Sequence, residues 1–190
     1  MRLTGADTRR AELIALAMFY GNCRQSNDDD VWLPLDTAFF VPLDDVPDLA
    51  PPTDQPDDEA EPDAAVRADL LHVGLPGRGG LSLTFIEVKY RRHLRSARET
   101  GLLEHVSEQV ATTRRRWMEW YFGEDMPEVV LAVRRSRLVR ALRFYLDKSV
   151  RHSLAAERRT AFVCELDKLV TQGGNYRLSR QQREADAAGG

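Results

Sequence analysis

The feature that most constrains the fold is the segment formed by residues 81–90, LSLTFIEVKY, in which two charged groups interrupt an apolar run. Its apolar and β-branched residues predict a strand that is buried on both faces. Glu87 and Lys89 lie two residues apart, so their side chains point to the same face of that strand. Because an unpaired buried charge costs several kcal/mol, each of these groups requires a partner or a metal ion.

A second predicted strand, residues 67–75, is joined to the first by the glycine-rich turn PGRGG at residues 76–80. A five-residue loop fixes the register of the hairpin, and in that register Asp69 faces Glu87. Directly opposed carboxylates repel each other, and hard divalent cations take oxygen ligands of this kind. The hairpin therefore predicts a cation between the two acids.

Periodicity predicts the other elements of an α/β fold. Amphipathic helices are predicted where apolar residues recur at helical spacing, over residues 8–21, 102–123 and 137–150. Further strands are predicted where short runs are apolar or β-branched, over residues 31–43, 128–133 and 160–170. The tail from residue 173 has little to pack, so we expect a domain over residues 1–172 and a disordered tail or linker over residues 173–190.

Charge is distributed unevenly along the chain. The net charge is −3, yet no Lys or Arg occurs between Gln25 and Val66. The acid-rich residues 44–65 contain several prolines and no apolar periodicity, which predicts a solvated loop. Two roles remain open for this loop: a surface spacer, or a mimic of nucleic-acid charge that covers a basic face of the domain.

Cysteine usage and hydropathy indicate the compartment. Cys23 and Cys164 are isolated and the four histidines show no ligand spacing, so neither a disulfide framework nor a zinc site is predicted. Both cysteines are expected to be buried thiols. No apolar run approaches the roughly 20 residues of a membrane span, and the N-terminus lacks a cleavage site. We expect a cytoplasmic protein with no membrane contact.

Ala68-Asp69 is followed eighteen positions later by Glu87-Val88-Lys89 in an apolar strand, and then by a long predicted helix. This pattern resembles the PD-(D/E)XK nuclease superfamily, over roughly residues 8–135, although Ala68 stands where the family often has proline. The resemblance implies a restriction-endonuclease-like α/β fold, with a mixed central sheet flanked by helices in the order αβββαβ.

The same resemblance implies a magnesium-dependent endonuclease that hydrolyses DNA phosphodiester bonds. Asp69 and Glu87 would hold Mg²⁺, for which Mn²⁺ could substitute, and Lys89 would orient or activate the attacking water. Gln109 looks like the glutamine that some members direct at the active site. Four arginines after the motif strand would contact DNA phosphates without reading sequence: Arg91, Arg92, Arg95 and Arg98.

Family analogy also suggests a context. The chain would be a nuclease module of a larger bacterial DNA-defence or repair protein, with DNA and further domains or subunits as partners, and a homodimer is left open. Two other classes compete with the nuclease: an inactive domain of this fold that binds nucleic acid or a protein partner, and an unrelated α/β binding domain. The intact Asp, Glu and Lys of the motif argue against the inactive domain.

Overall fold

The computed structural model describes residue 14 and residues 16–21, 37–52, 68–76, 79–88 and 100–178, and its fold is mixed α/β. Within these ranges an antiparallel sheet has the strand order β1-β2-β3, formed by β1 (Ala38–Pro42), β2 (Leu70–Gly74) and β3 (Ser82–Ile86). The long helices are α1 (Thr100–Phe122), α2 (Glu128–Val150) and α3 (Ala156–Thr171). Residues 16–21 form an N-terminal helical segment. In these ranges no helix has the length and apolar character needed to cross a membrane.

The hairpin register predicted from the sequence is confirmed. Strands β2 and β3 pair Leu70 with Ile86 and Leu71 with Phe85, which is the register that a five-residue loop dictates. Gly79 and Gly80 have φ values of 80° and 78° in that loop, a conformation that glycine adopts without steric cost. In the same register, Asp69 and Glu87 form the next facing pair beyond Leu70 and Ile86.

Alternation along the strands gives the sheet two covered faces. Leu71 and Phe85 belong to the main core, which the sheet forms with α1, α2 and α3. Leu70 and Ile86 point to the other face, where they contact the N-terminal helical segment. Strand β3 is therefore covered on both faces, but only in part as its continuous apolar run predicted, because Leu83 and Thr84 are half-buried.

The predicted strand at residues 128–133 is wrong, because these residues begin α2. Pro127 precedes the helix with a φ of −55°, a value that its ring favours and that suits a helix start. Val129 and Val133 are 76% and 51% exposed, so the apolar run does not enter the core as a strand would. A run of six residues is too short for periodicity to distinguish strand from helix. The described sheet is consequently antiparallel and not mixed, and the expected αβββαβ order lacks its last strand there.

The predicted strand at residues 160–170 is also wrong, because these residues lie in α3. Phe162, Leu166 and Leu169 are buried at helical spacing, and packing of this stripe outweighs the strand propensity of its aromatic and β-branched residues. The helix leaves Cys164 exposed, so the prediction of a buried thiol fails there. Cys23 lies outside the described residues.

Part of the predicted acidic loop is packed against the core. Leu49 is buried, and the Tyr121 hydroxyl donates a hydrogen bond of 2.7 Å to its carbonyl oxygen. The sequence expectation of a wholly solvated loop is therefore wrong for residues 44–50, where Leu49 is buried and Val46 packs against the same core. Residues 53–65 lie outside the described residues.

The first residues of the predicted tail also pack. Tyr176 is buried, and its hydroxyl accepts a 2.8 Å hydrogen bond from the Leu81 N–H while donating to Glu165 Oε2 at 3.2 Å. The packed chain therefore continues past the expected boundary at residue 172, at least to Leu178. Residues 179–190 lie outside the described part of the chain.

Candidate active site

Asp69 lies one residue before β2, and its backbone is fixed from two directions. The Leu43 N–H donates to the Asp69 carbonyl oxygen at 2.9 Å, which extends the pairing of β1 with β2. The N–H of the preceding residue, Ala68, donates to Thr113 Oγ1 on α1 at 3.0 Å. Ala68 and Thr113 are both buried, so displacing this turn would cost a hydrogen bond that water cannot replace.

The Asp69 side chain ends the hairpin ladder. Its Oδ2 atom accepts a hydrogen bond of 2.6 Å from the Val88 N–H, and such bonds to a carboxylate are short and strong. The backbone groups of successive strand residues point alternately to the two neighbouring strands. Because the Asp69 backbone bonds to Leu43 on the β1 side, the backbone groups of even-numbered β2 residues point toward β3. The Val88 N–H would then pair with Ala68, but it bonds to the Asp69 carboxylate instead. Regular pairing therefore stops immediately beyond the two acids.

Glu87 follows β3 directly and faces Asp69. By the same alternation, Asp69 and Glu87 form a non-hydrogen-bonded pair. In a regular antiparallel ladder the Cα atoms of such a pair are about 4.5 Å apart. Glu87 is half-buried and its Oε2 atom is buried. Both acids occupy odd-numbered positions, so they share the sheet face of Leu71 and Phe85, which α1 covers.

Helix α1 places Gln109 at the same end of the sheet. Gln109 lies one turn before Thr113 and is half-buried. Its carbonyl oxygen accepts a hydrogen bond of 2.9 Å from Thr113 Oγ1, the hydroxyl that also receives the Ala68 N–H. The structure thus brings three of the predicted site residues to one corner of the fold, namely Asp69, Glu87 and Gln109.

The donor set of this corner fits magnesium. The candidate donors here are the carboxylates of Asp69 and Glu87. In the ranges described, no group of three or more His, Cys, Asp or Glu side chains could hold a metal ion. Mg²⁺ retains several water ligands and is commonly bound through one or two carboxylates plus substrate phosphates. A structural zinc site would instead need four protein ligands, usually including cysteine or histidine.

The remaining predicted site residues fall in gaps of the described chain. Lys89 and the four arginines expected to contact DNA, Arg91, Arg92, Arg95 and Arg98, all lie outside the described residues.

Sequence reasoning missed Thr113 as the residue that positions this corner. The signal was present, because Val110, Thr113, Trp117 and Tyr121 follow helical spacing, and the two aromatic residues are buried. A hydroxyl within an apolar stripe needs a buried hydrogen-bond partner. The identity of that partner, the backbone of Ala68, could not be read from the sequence.

A second charged surface lies on α2. Arg137 and Arg140 line a groove of about 900 Å³ together with Asp45 and Asp48. Charges of opposite sign therefore share this groove, where the acidic segment leaves the sheet. This arrangement is compatible with the covering role considered for the acidic loop, and equally with a spacer whose first turn is anchored by Leu49.

Comparisons with protein-family models, with curated proteins and with solved structures found no match to this chain.

Proposed function

We propose that the chain is a metal-dependent endonuclease domain of the restriction-endonuclease-like fold, which hydrolyses DNA phosphodiester bonds as a module of a bacterial DNA-defence or repair protein. The observation that carries the proposal is the facing pair of Asp69 and Glu87 at the end of the hairpin, with Asp69 bonded to Val88 inside the Glu-Val-Lys motif. Carboxylates at facing positions repel each other, and a divalent cation bound between them would stabilise the pair.

The order of elements around this pair supports the fold. An N-terminal helical segment, three antiparallel strands and helix α1 follow one another, and the two helices lie on opposite faces of the sheet. This matches the first five elements of the αβββαβ order. The departure is α2, which occupies the place in the chain where the family has its next strand.

Each residue has a role in the proposed chemistry. Asp69 and Glu87 would hold Mg²⁺ or Mn²⁺. The bound ion would polarise a phosphodiester oxygen and lower the pKa of a bound water. The Val88 N–H keeps the Asp69 carboxylate oriented, as outer-sphere hydrogen bonds do for ligating acids. Lys89 would orient or activate the attacking water, and Gln109 would contribute an amide at the same corner.

A catalytically inactive domain of the same fold, which binds nucleic acid or a protein partner, is the second candidate. One observation favours it: the described sheet stops at β3 because α2 replaces the expected strand. Binding without cutting would require the surface of the fold but not an intact metal site.

Nicking of supercoiled plasmid decides between the two. We expect nicking that requires Mg²⁺ or Mn²⁺, is abolished by EDTA, and is lost in Asp69→Asn, Glu87→Gln and Lys89→Met. Matched controls are Glu119→Gln, an exposed acid of α1, and Lys148→Met, an exposed lysine of α2, both of which should cut like the wild type. A DNA shift in EDTA without any nicking would favour the inactive domain.

Metal binding is measured separately from cutting. Calorimetric titration with Mn²⁺ should show a site that disappears in Asp69→Asn and Glu87→Gln but persists in Lys89→Met, because the lysine acts in the chemical step. Equal Mn²⁺ binding by the wild type and both acid variants would contradict the assignment of the ligands.

A further inference from the structure

The groove on the exposed face of α2 holds two arginines that form no ion pair with another described residue. Arg137 and Arg140 are exposed and lie one turn apart along the helix. The other three arginines of α2 have partners, namely Arg134 with the Trp120 ring, Arg135 with Glu128, and Arg143 with Asp167. An uncommitted guanidinium matches the geometry of a phosphate group, which it binds through two parallel hydrogen bonds.

An aromatic ring lies beside these two cations. Phe144 follows Arg140 by one turn, lines the same groove and is 57% exposed. The Lys148 ammonium is engaged with rings, because its Nζ atom lies 4.9 Å from the centre of the Phe144 ring and 5.3 Å from that of Tyr145. An exposed ring next to free cations is the combination with which proteins stack an unpaired base and hold its backbone.

Two carboxylates of the chain share the groove and restrict what it can hold. Asp45 and Asp48 line it together with the arginines. Burial raises the pKa of Tyr145 and the Asp45 carboxylate raises it further, so Asp45 lies near the aromatic end. A partner that is acidic throughout would be attracted by the arginines but repelled by these acids. A nucleotide separates the two properties, since its charge is on the phosphate while the amino group of its base donates to a carboxylate.

We infer that this groove binds an unpaired nucleotide of a nucleic-acid strand. Arg137 and Arg140 hold the phosphates, and Phe144 stacks on the base. Asp45 and Asp48 accept hydrogen bonds from a base that carries an exocyclic amino group, as carboxylates do from cytosine. Because the faces of paired bases are covered in a duplex, the site selects single-stranded segments.

The groove begins next to the candidate active site. The Leu43 N–H bonds to the Asp69 carbonyl oxygen, and Asp45 follows Leu43 by two residues, a span of at most about 7 Å. A strand in the groove therefore lies close to the carboxylate pair. The choice of a strand over a free nucleotide rests on the proposed nuclease function, whereas binding itself does not require cleavage.

Fluorescence anisotropy in EDTA measures this binding without cleavage. The probes are a labelled oligodeoxycytidine, an oligothymidine of the same length and a duplex of the same length. Oligodeoxycytidine should bind more tightly than oligothymidine, because thymine has no exocyclic amino group. Since EDTA removes divalent metal ions, the outcome does not depend on whether the domain cuts DNA.

Substitution of Phe144 tests the stacking contact on an exposed side chain. Phe144→Ala should weaken binding of the single strands by at least about fivefold and leave binding of the duplex unchanged. Phe144→Trp should retain the affinity for single strands. Phe144→Leu should bind as weakly as the alanine variant, because leucine keeps the apolar bulk but has no aromatic face.

Substitution of the arginines tests the phosphate contacts. Arg137→Gln and Arg140→Gln should each weaken binding of both single strands. Each should also reduce the slope of log affinity against log salt by about 0.7, the value for one phosphate contact on a single strand. Arg158→Gln, which replaces an exposed arginine of α3, is the matched control and should bind like the wild type.

Substitution of both acids gives a separate readout. Asp45→Ala combined with Asp48→Ala should strengthen binding of oligothymidine, because repulsion of its phosphates is relieved, and should abolish the preference for deoxycytidine. The inference is overturned if Phe144→Ala binds single strands like the wild type, if Phe144→Leu retains the affinity, or if both arginine variants match Arg158→Gln. Equal competition by deoxycytidine monophosphate would overturn the assignment of a strand, and equal competition by polyglutamate would identify an acidic protein as the occupant instead.

Discussion

Thr113→Val removes the hydroxyl that joins α1 to the turn before Asp69 while keeping the shape of the side chain. In the native domain Thr113 Oγ1 accepts the buried Ala68 N–H at 3.0 Å and donates to the Gln109 carbonyl at 2.9 Å. The valine variant leaves the Ala68 N–H without an acceptor in an environment from which water is excluded. The bond to Gln109 contributes little, because that carbonyl already belongs to a helix.

The unfolding free energy should therefore fall by about 1 to 3 kcal/mol, the desolvation cost of one buried donor. A loss of 2 kcal/mol corresponds to a melting temperature lower by about 4 to 8 °C for a domain of this size. The Asp69 carboxylate would lose a support of its backbone, so we expect metal-dependent nicking to fall by roughly 10- to 100-fold, as for outer-sphere residues of metal sites.

Urea unfolding and plasmid nicking of two variants complete the test. Thr171→Val is the matched control, because Thr171 makes the same bond to the carbonyl four residues back, is exposed and lies on α3. It should change stability by less than about 0.5 kcal/mol and leave nicking unchanged. Thr113→Ser should restore both properties, since it keeps the hydroxyl. Equal behaviour of the two valine variants would refute the positioning role.

Three further predictions concern stability. Asp69→Asn removes the repulsion between the facing acids but weakens the hydrogen bond from the Val88 N–H. These two effects on the unfolding free energy are each about 1 kcal/mol, so they should nearly cancel in urea unfolding with EDTA. A clear gain in stability would contradict this expectation. Arg135 is 1% exposed and donates to the Tyr121 carbonyl oxygen at 3.0 Å, so Arg135→Met should cost about 2 to 3 kcal/mol, whereas Arg143→Met removes an exposed ion pair worth at most about 1 kcal/mol. Burial raises the pKa of Tyr121 and Tyr176, so the unfolded chain loses these protons first, and stability should decline as the pH rises above about 10. Tyr176→Phe should flatten that decline in unfolding curves measured against pH.

The hairpin could be predicted in full because its determinants are local. Loop length sets the register, and a period of two then assigns Asp69 and Glu87 to facing positions on one face. The bond from Val88 to Asp69 Oδ2 could not be predicted in this way, because it depends on where pairing stops. That depends in turn on Thr113, which lies on an element 45 residues away from Ala68.

The failures of prediction share a physical cause, which is that short apolar runs acquire their structure from distant partners. The runs at residues 128–133 and 160–170 contain residues that favour strands, yet each continues into a longer stripe at helical spacing, and the stripe decides. Leu49 and Tyr176 show the converse, because each is a core residue in a polar segment. The Leu49 carbonyl oxygen accepts a hydrogen bond from the Tyr121 hydroxyl, and the Tyr176 hydroxyl accepts one from the Leu81 N–H.

The departure of α2 from the expected order leaves β3 as an outer strand of the described sheet. If residues 128–133 had formed the strand that follows α1 in the αβββαβ order, they could have paired with the Leu83 and Phe85 backbone groups. Because these residues lie in α2, with Val129 and Val133 exposed, β3 pairs with β2 alone within the described residues. The corner that holds Asp69 and Glu87 lies about 10 Å from the middle of β3, farther along the strand. Closure of the sheet and assembly of the carboxylate pair are therefore separable properties of this chain, and loss of one need not abolish the other.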